Sequence, residues 1–233
     1  MQINMRAGIL GAGLGSRLQS QAKAKPLAPI AGGTLLGMMV SRLRLAGLTN
    51  IHCALREELL TSQDRAALPK EEGLSYCFVN TDSSLHTLVE LIQRMDKESG
   101  PILFTMADTV LKEADLRAFI AFCRKLGPEE CAVLTTTFVD DEKPLWAHLR
   151  EDGTVEKFSS EPAKVVTSGM YYLTPQAMEI AEEVLRSGTH KMRNFLSALA
   201  GKDIPINSFV VSKTIDVDHP SDLQKAADFL QSD

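Results

Sequence analysis

Gly11-Ala12-Gly13-Leu14-Gly15-Ser16-Arg17-Leu18 closes the apolar run Met5-Arg6-Ala7-Gly8-Ile9-Leu10, and Lys23-Ala24-Lys25-Pro26-Leu27 follows shortly after. An apolar run ending in alternate glycines reads as a strand and a loop that can close on a ligand. Glycine has no Cβ to hold the backbone away, and successive N–H groups can turn inward around phosphate oxygens. The spacing also roughly satisfies G-x-G-x-x-small, so an NADP-linked oxidoreductase competes. Pro26 and Pro29 weigh against it, because each blocks the long helix that a dinucleotide fold opens after its glycines. Arg56, rather than an acid, ends the second apolar run. GxxxxGK[ST] is absent, which excludes a P-loop.

Working outward, apolar runs rich in branched and aromatic residues predict strands at 50–55, 74–79, 101–106 and 131–138. Amphipathic stretches at 34–46, 84–97 and 112–126 predict helices between them. Alternating strand and helix implies right-handed crossovers and a mostly parallel sheet covered on both faces. Further on, 145–150 and 154–158 flank Asp152-Gly153, a hairpin turn. A strand at 166–173, helices at 175–186 and 191–200, short strands at 205–211 and 214–217 and a helix after Pro220 complete the pattern. The expected fold is α/β: three-layer, Rossmann-like, a mixed but mostly parallel sheet with a small β-hairpin insertion. Ligands of such sheets bind beyond the carboxyl ends of the strands.

The chain has 233 residues and a formal charge of −5, against a general nucleic-acid binder. Residues 1–56 hold no Asp or Glu but seven basic side chains (Arg6, Arg17, Lys23, Lys25, Arg42, Arg44, Arg56), so the remainder carries −12. A carboxylate-free basic segment in an acidic protein favours a small anion locally. No apolar run approaches the roughly 18 residues of a membrane span. The opening MQINMRAGIL has no signal-peptide pattern, and Cys53, Cys77, Cys123 and Cys131 form no CxxC pair. A cytoplasmic protein with buried free thiols and no membrane partner is expected.

Two carboxylate sites end apolar runs. Asp108 follows Ile102–Ala107; an ionised Asp there needs a partner, either a metal ion or, as a turn cap, backbone N–H groups. In Ile215-Asp216-Val217-Asp218-His219-Pro220, strand alternation points Asp216 and Asp218 to the same side, just before a helix start. Asp218 is also placed to cap that helix.

Together G-A-G-L-G-S-R-L and A-K-P-L resemble the G-x-G-[TS]-R-L…P-K-P-L motif of nucleotidyltransferases with a sugar-nucleotide-pyrophosphorylase-like (GT-A-like) fold. Ala24 replaces the first proline. The resemblance implies transfer of a nucleoside monophosphate from an NTP to a phosphorylated acceptor, with release of pyrophosphate. A sugar 1-phosphate is the expected acceptor; CTP-dependent transfer to a phosphorylated alcohol and a non-catalytic nucleotide-binding homologue are the alternatives within the family. It implies catalytic roles for Arg17 and Lys25, and nucleotide binding by Gly11, Ala12, Gly13, Gly15, Ser16, Arg17, Asp82 and Ser83. Mg²⁺ would lie on Asp108, where Ala107 replaces the usual Gly, and on Asp218, with Asp216 as the second choice. The segment 214–224 resembles D-[IV]-D-T-P-E-D-L, with His219 for Thr and Ser221 for Glu. Asp152–Pro162 and Ser168–Tyr171 resemble acceptor-pocket segments, implying Glu161, Lys164 and Gly169 as acceptor-binding residues. Residues 1–233 then form one domain, with 1–140 the nucleotide half and 141–233 the acceptor and second metal-ligand half.

Overall fold

The computed structural model describes residues 5–231; Met1–Asn4, part of the opening segment tested for a signal peptide, lies outside them. In chain order the elements are β1 (Arg6–Gly11), β2 (Pro29–Ile30), β3 (Gly33–Thr34), α1 (Leu35–Leu45), β4 (Asn50–Arg56), α2 (Ser62–Ala67) and β5 (Leu74–Val79). Next come α3 (Ser84–Arg94), β6 (Ile102–Met106), β7 (Thr109–Val110), α4 (Glu113–Cys123), β8 (Cys131–Thr136), β9 (Trp146–Leu149) and β10 (Val155–Ser159). The chain ends with β11 (Val165–Leu173), α5 (Pro175–Arg186), α6 (Met192–Ala200), β12 (Ile206–Val211), β13 (Ile215–Asp216) and α7 (Pro220–Gln231).

Nine strands form one mixed sheet. β6, β1, β4 and β5 run parallel side by side, and β12 runs parallel to β8. β11 is antiparallel to both β6 and β8 and joins the two parallel blocks. The Asp152-Gly153 hairpin, β9 and β10, attaches to the start of β11. This is the three-layer α/β arrangement with a hairpin insertion.

Side-chain alternation along the strands builds two cores. Leu10 and Phe104 face α3, α5 and α6, where Leu88, Met178 and Phe195 are buried. Ile9 and Leu103 face α1 and α4, where Met39, Leu43, Phe119 and Ile120 are buried. A third, smaller cluster matters more for function. Leu18, Ala28 and Ile30 from the segment after the glycines pack with Val110, Ile215, Val217 and Ala226. It fastens the front of the chain to its tail.

Predicted elements differ mainly at their ends. α3 stops at Arg94, three residues before the expected Lys97, and residues 97–99 form a separate 3-10 turn. α2 was not expected: it buries no residue, so it has no apolar stripe to read, and a Thr61–Asp64 capping box starts it. Among the described residues no helix is long and apolar enough to cross a membrane. Cys53, Cys123 and Cys131 are buried and Cys77 is half-buried; all four are free thiols.

Candidate active site

β1 delivers the glycine loop to the carboxyl edge of the parallel block. The chain then forms only 3-10 turns, at Ser16–Leu18 and Lys25–Leu27, and no α-helix begins until Leu35. The long helix a dinucleotide site requires is therefore missing. Arg56, the residue that kept an NADP reading open, is 9% exposed and donates to the carbonyls of Ala12 at 3.2 Å and Thr81 at 2.6 Å. It braces the loop from below.

β6 ends beside β1: the Ala107 N–H donates to the Leu10 carbonyl at 3.0 Å, which sets Asp108 next to the glycines. The tail reaches the same point through the two-residue ladder β7–β13, pairing Ile215 with Val110 and Asp216 with Thr109. Val217 N–H then donates to the Asp108 carbonyl at 3.1 Å. Backbone pairing thus brings acids 110 positions apart to one spot.

Lys25 lies between them. Its Nζ is ion-paired with Asp108 Oδ2 and stands 2.7 Å from Asp218 Oδ1. Arg17 reaches Asp218 Oδ2 at 3.3 Å and His219 Nε2 at 3.2 Å. Burial opposes the charge on Lys25, but Asp108 and then Asp218 overcome it, and the net shift of its pKa is upward. Asp216 touches open cleft yet is crowded by protein atoms. That desolvation, then the Asp108 charge, raises its carboxyl to about 7 against the Thr109 hydroxyl, which donates to it at 3.1 Å. Asp222 is buried and accepts from the His219 N–H at 2.8 Å and the Asp218 N–H at 3.2 Å, holding the turn in shape.

Three cavities border these acids, and two of them reach Asp108. One is lined by Gly11, Gly13, Gly15, Ser16, Arg17 and Lys25 together with Asp108 and Asp218. The other runs from Asp108, Asp216 and Asp218 past Ser83, Gly169 and Tyr171 to Lys191 and Arg193, over the apolar Met106, Leu145, Met192 and Leu196. Ala12 is buried, with its carbonyl on Arg56. Asp82 is exposed, and Ser83 caps α3 through the His86 N–H at 3.3 Å.

The expected acceptor residues separate. Gly169 is at the second cavity, but in a register shift of β11, with φ at +67° and a missing side chain that would lie 2.3 Å from Thr109 Oγ1. Its lack of a side chain makes room for Thr109. Glu161 is exposed and paired with Lys157 at 3.1 Å, and Lys164 is exposed; neither lines either cavity. The cations at the second cavity are Lys191 and Arg193, which carry no motif. Arg193 donates to the Lys143 carbonyl at 2.8 Å.

The donor set suits a hard divalent ion. Among the described residues no group of three or more His, Cys, Asp or Glu side chains is arranged to hold a metal unaided. Two carboxylates already converge on a single cation, however, and magnesium commonly takes one or two carboxylates, with water and phosphate oxygens completing its shell.

Solved structures share this architecture across the whole chain. A Bacillus anthracis protein named as a glucose-1-phosphate thymidylyltransferase superposes with a TM-score of 0.81 at 15% identity, covering 98% of this chain and 96% of that one. The inositol-1-phosphate CTP transferase of T. maritima gives 0.77 at 14%, covering 100% of both. The CTP:phosphocholine cytidylyltransferase of Streptococcus pneumoniae gives 0.74 at 16%, covering 97% and 99%. No curated protein matches the chain in sequence. Residues 7–197 match the MobA-like NTP transferase domain, and on that match the chain belongs to that family.

Proposed function

We propose that the protein transfers a nucleoside monophosphate from an NTP to a phosphorylated small-molecule acceptor, with a sugar 1-phosphate as the first candidate. The observation that carries this is the placement of Lys25, between Asp108 and Asp218 and beside the open glycine loop. An oxygen of the acceptor phosphate attacks the α-phosphorus of the NTP, the bond to the bridging α–β oxygen breaks, and pyrophosphate leaves. No covalent enzyme intermediate is required, because position and charge supply the rate. The N–H groups from Gly11 to Ser16 and the Arg17 guanidinium hold the triphosphate. Lys25 neutralises charge growing on the α-phosphate. Asp108 and Asp218, with Asp216 behind them, would hold Mg²⁺, which supplies charge stabilisation at the phosphate oxygens. Lys191 and Arg193 would hold the acceptor's anionic group.

A second reading, CTP-dependent transfer to a phosphorylated alcohol, gains from two observations. Glu161 and Lys164, the residues argued for a sugar phosphate, lie away from the cavity, and its floor of Met106, Leu145, Met192 and Leu196 is apolar. One panel separates the readings: the four NTPs and dTTP, each with Mg²⁺, against sugar 1-phosphates and phosphorylated alcohols, followed by pyrophosphate release. Release with no donor–acceptor pair rejects the transferase reading.

A further inference from the structure

The group standing between the two proposed metal ligands is a cation belonging to the protein itself. Lys25 Nζ contacts Asp108 and Asp218, and Arg17 covers the other Asp218 oxygen. The Lys25 side chain is 12% exposed and that of Asp108 18%, so this is a seated ion pair. Its seat is built. Lys25 lies in a 3-10 turn closed by the Ala28 N–H on its carbonyl at 3.0 Å, Pro26 follows it, and Leu18 and Ala28 on either side are buried against Val110, Ile215 and Val217. Its stem packs on Gly15.

An ammonium and a divalent ion cannot share two carboxylates at this range, because the cations would repel at contact distance. We propose that Lys25 is the resident counter-ion of the nucleotide-free protein. It fills the position between Asp108 and Asp218, and a divalent metal takes that position only when NTP phosphates draw the ammonium away. Metal and nucleotide then favour each other reciprocally, each making the other's site available. The inference rests on the nucleotidyltransferase reading and adds an order to it: the free protein is a poor metal binder by construction.

Mn²⁺ is the probe, with bound and free ion counted by electron paramagnetic resonance in the absence of nucleotide, on the wild type, Lys25→Met and Lys25→Arg. Lys25→Met is expected to bind Mn²⁺ at least ~10-fold more tightly than the wild type, within the usual range of such coupling. Lys25→Arg, still cationic, is expected to stay weak. Thermal melting of the same proteins gives a second readout: Mn²⁺ should raise the Tm of Lys25→Met more than that of the wild type. Should Lys25→Met fail to fold, Lys25→Gln carries the same test. Equal Mn²⁺ affinity in the wild type and the neutral variant overturns the proposal, as does tight binding by Lys25→Arg. Wild-type pyrophosphate release in the panel above decides the transferase reading separately, so the two failures are distinguishable.

Discussion

Gly15 and Lys25 occupy each other's space: a Cβ on Gly15 would lie 2.5 Å from the Cβ of Lys25, and Gly15 itself sits at φ +55°. The glycine loop and the cation are therefore one unit. Gly15→Ala must pay the left-handed penalty of about 1–2 kcal/mol and also push Lys25 off its carboxylates. A misplacement of this kind costs on the order of 10²-fold in rate. The expected result is a Tm shift of a few degrees with a kcat/KM loss of that order. Gly13→Ala is the control, since nothing lies within 4 Å of its missing Cβ; it should melt like the wild type. Wild-type kcat/KM in Gly15→Ala removes the coupling.

Of the two carboxylates on Lys25, Asp108 is the less exposed. Asp108→Asn keeps the shape and removes the charge. If the group anchors a metal, kcat falls by roughly 10²-fold or more, the scale of losing a key electrostatic group. Chelation by EDTA should abolish wild-type pyrophosphate release and Mg²⁺ should restore it. Wild-type turnover by Asp108→Asn, or activity that survives chelation, discards the metal assignment.

These positions were legible in the sequence because each ends or interrupts an apolar run. Asp108 after Ile102–Ala107, the glycines after Met5–Leu10 and Asp216 beside Ile215 and Val217 all break a pattern that burial imposes. The ladder that joins them was not legible. The segment 214–217 shows its alternation, but its partner Thr109–Val110 is two residues long, too short for any periodicity, and it is this pairing that brings Asp218 to Asp108. Lys191 and Arg193 were missed because cations flanking a helix start look like surface charges until the cavity beside them is seen. Glu161 and Lys164 came from a family resemblance in a segment that folds outward as the end of a hairpin. Arg56 sits where a ribose-binding acid would stand, but binds two carbonyls instead.

Gly169 gives a prediction about stability rather than chemistry. With φ at +67° and Thr109 Oγ1 2.3 Å from its missing Cβ, Gly169→Ala is strained in backbone and in contact. A residue forced into this region costs about 1–3 kcal/mol. Because Thr109 holds Asp216, activity should fall along with stability. Urea unfolding checks the first effect and pyrophosphate release the second. An unchanged unfolding midpoint rejects the assignment of Gly169 to packing.

His52 offers a pH test away from the site. It lies half-buried on β4, its Nδ1 2.8 Å from Ser75 Oγ on β5, and burial followed by the nearby Arg6 charge lowers its pKa. The unfolded ring titrates near 6.5. Between that value and the lowered folded one, the unfolded chain binds the extra proton, so stability decreases as pH falls through this window. His52→Asn should flatten the difference in unfolding free energy between about pH 7.5 and 5.5. An identical slope in variant and wild type removes His52 as its source.

Asp222 holds the turn that presents Asp218. It is 8% exposed, accepts from the His219 and Asp218 N–H groups, and is met by Lys225 at 3.1 Å. With Pro220 the first helical residue, Asp222 stands at N3 and makes the reaching-back half of a capping box on the His219 N–H. Burial opposes its charge, but the His219 N–H and Lys225 prevail and lower its pKa. Asp222→Ala leaves two backbone donors without their acceptor, a loss of about 1–3 kcal/mol. It also frees Asp218 from its fixed position, so kcat should drop about tenfold or more through lost alignment. Asp222→Asn can still accept through its amide oxygen. It should recover much of both losses, the mark of a positioning residue as distinct from a group that touches substrate. If the alanine and asparagine variants fall together in both unfolding and turnover, hydrogen bonding to the turn is not what Asp222 contributes, and its charge must act directly on the site.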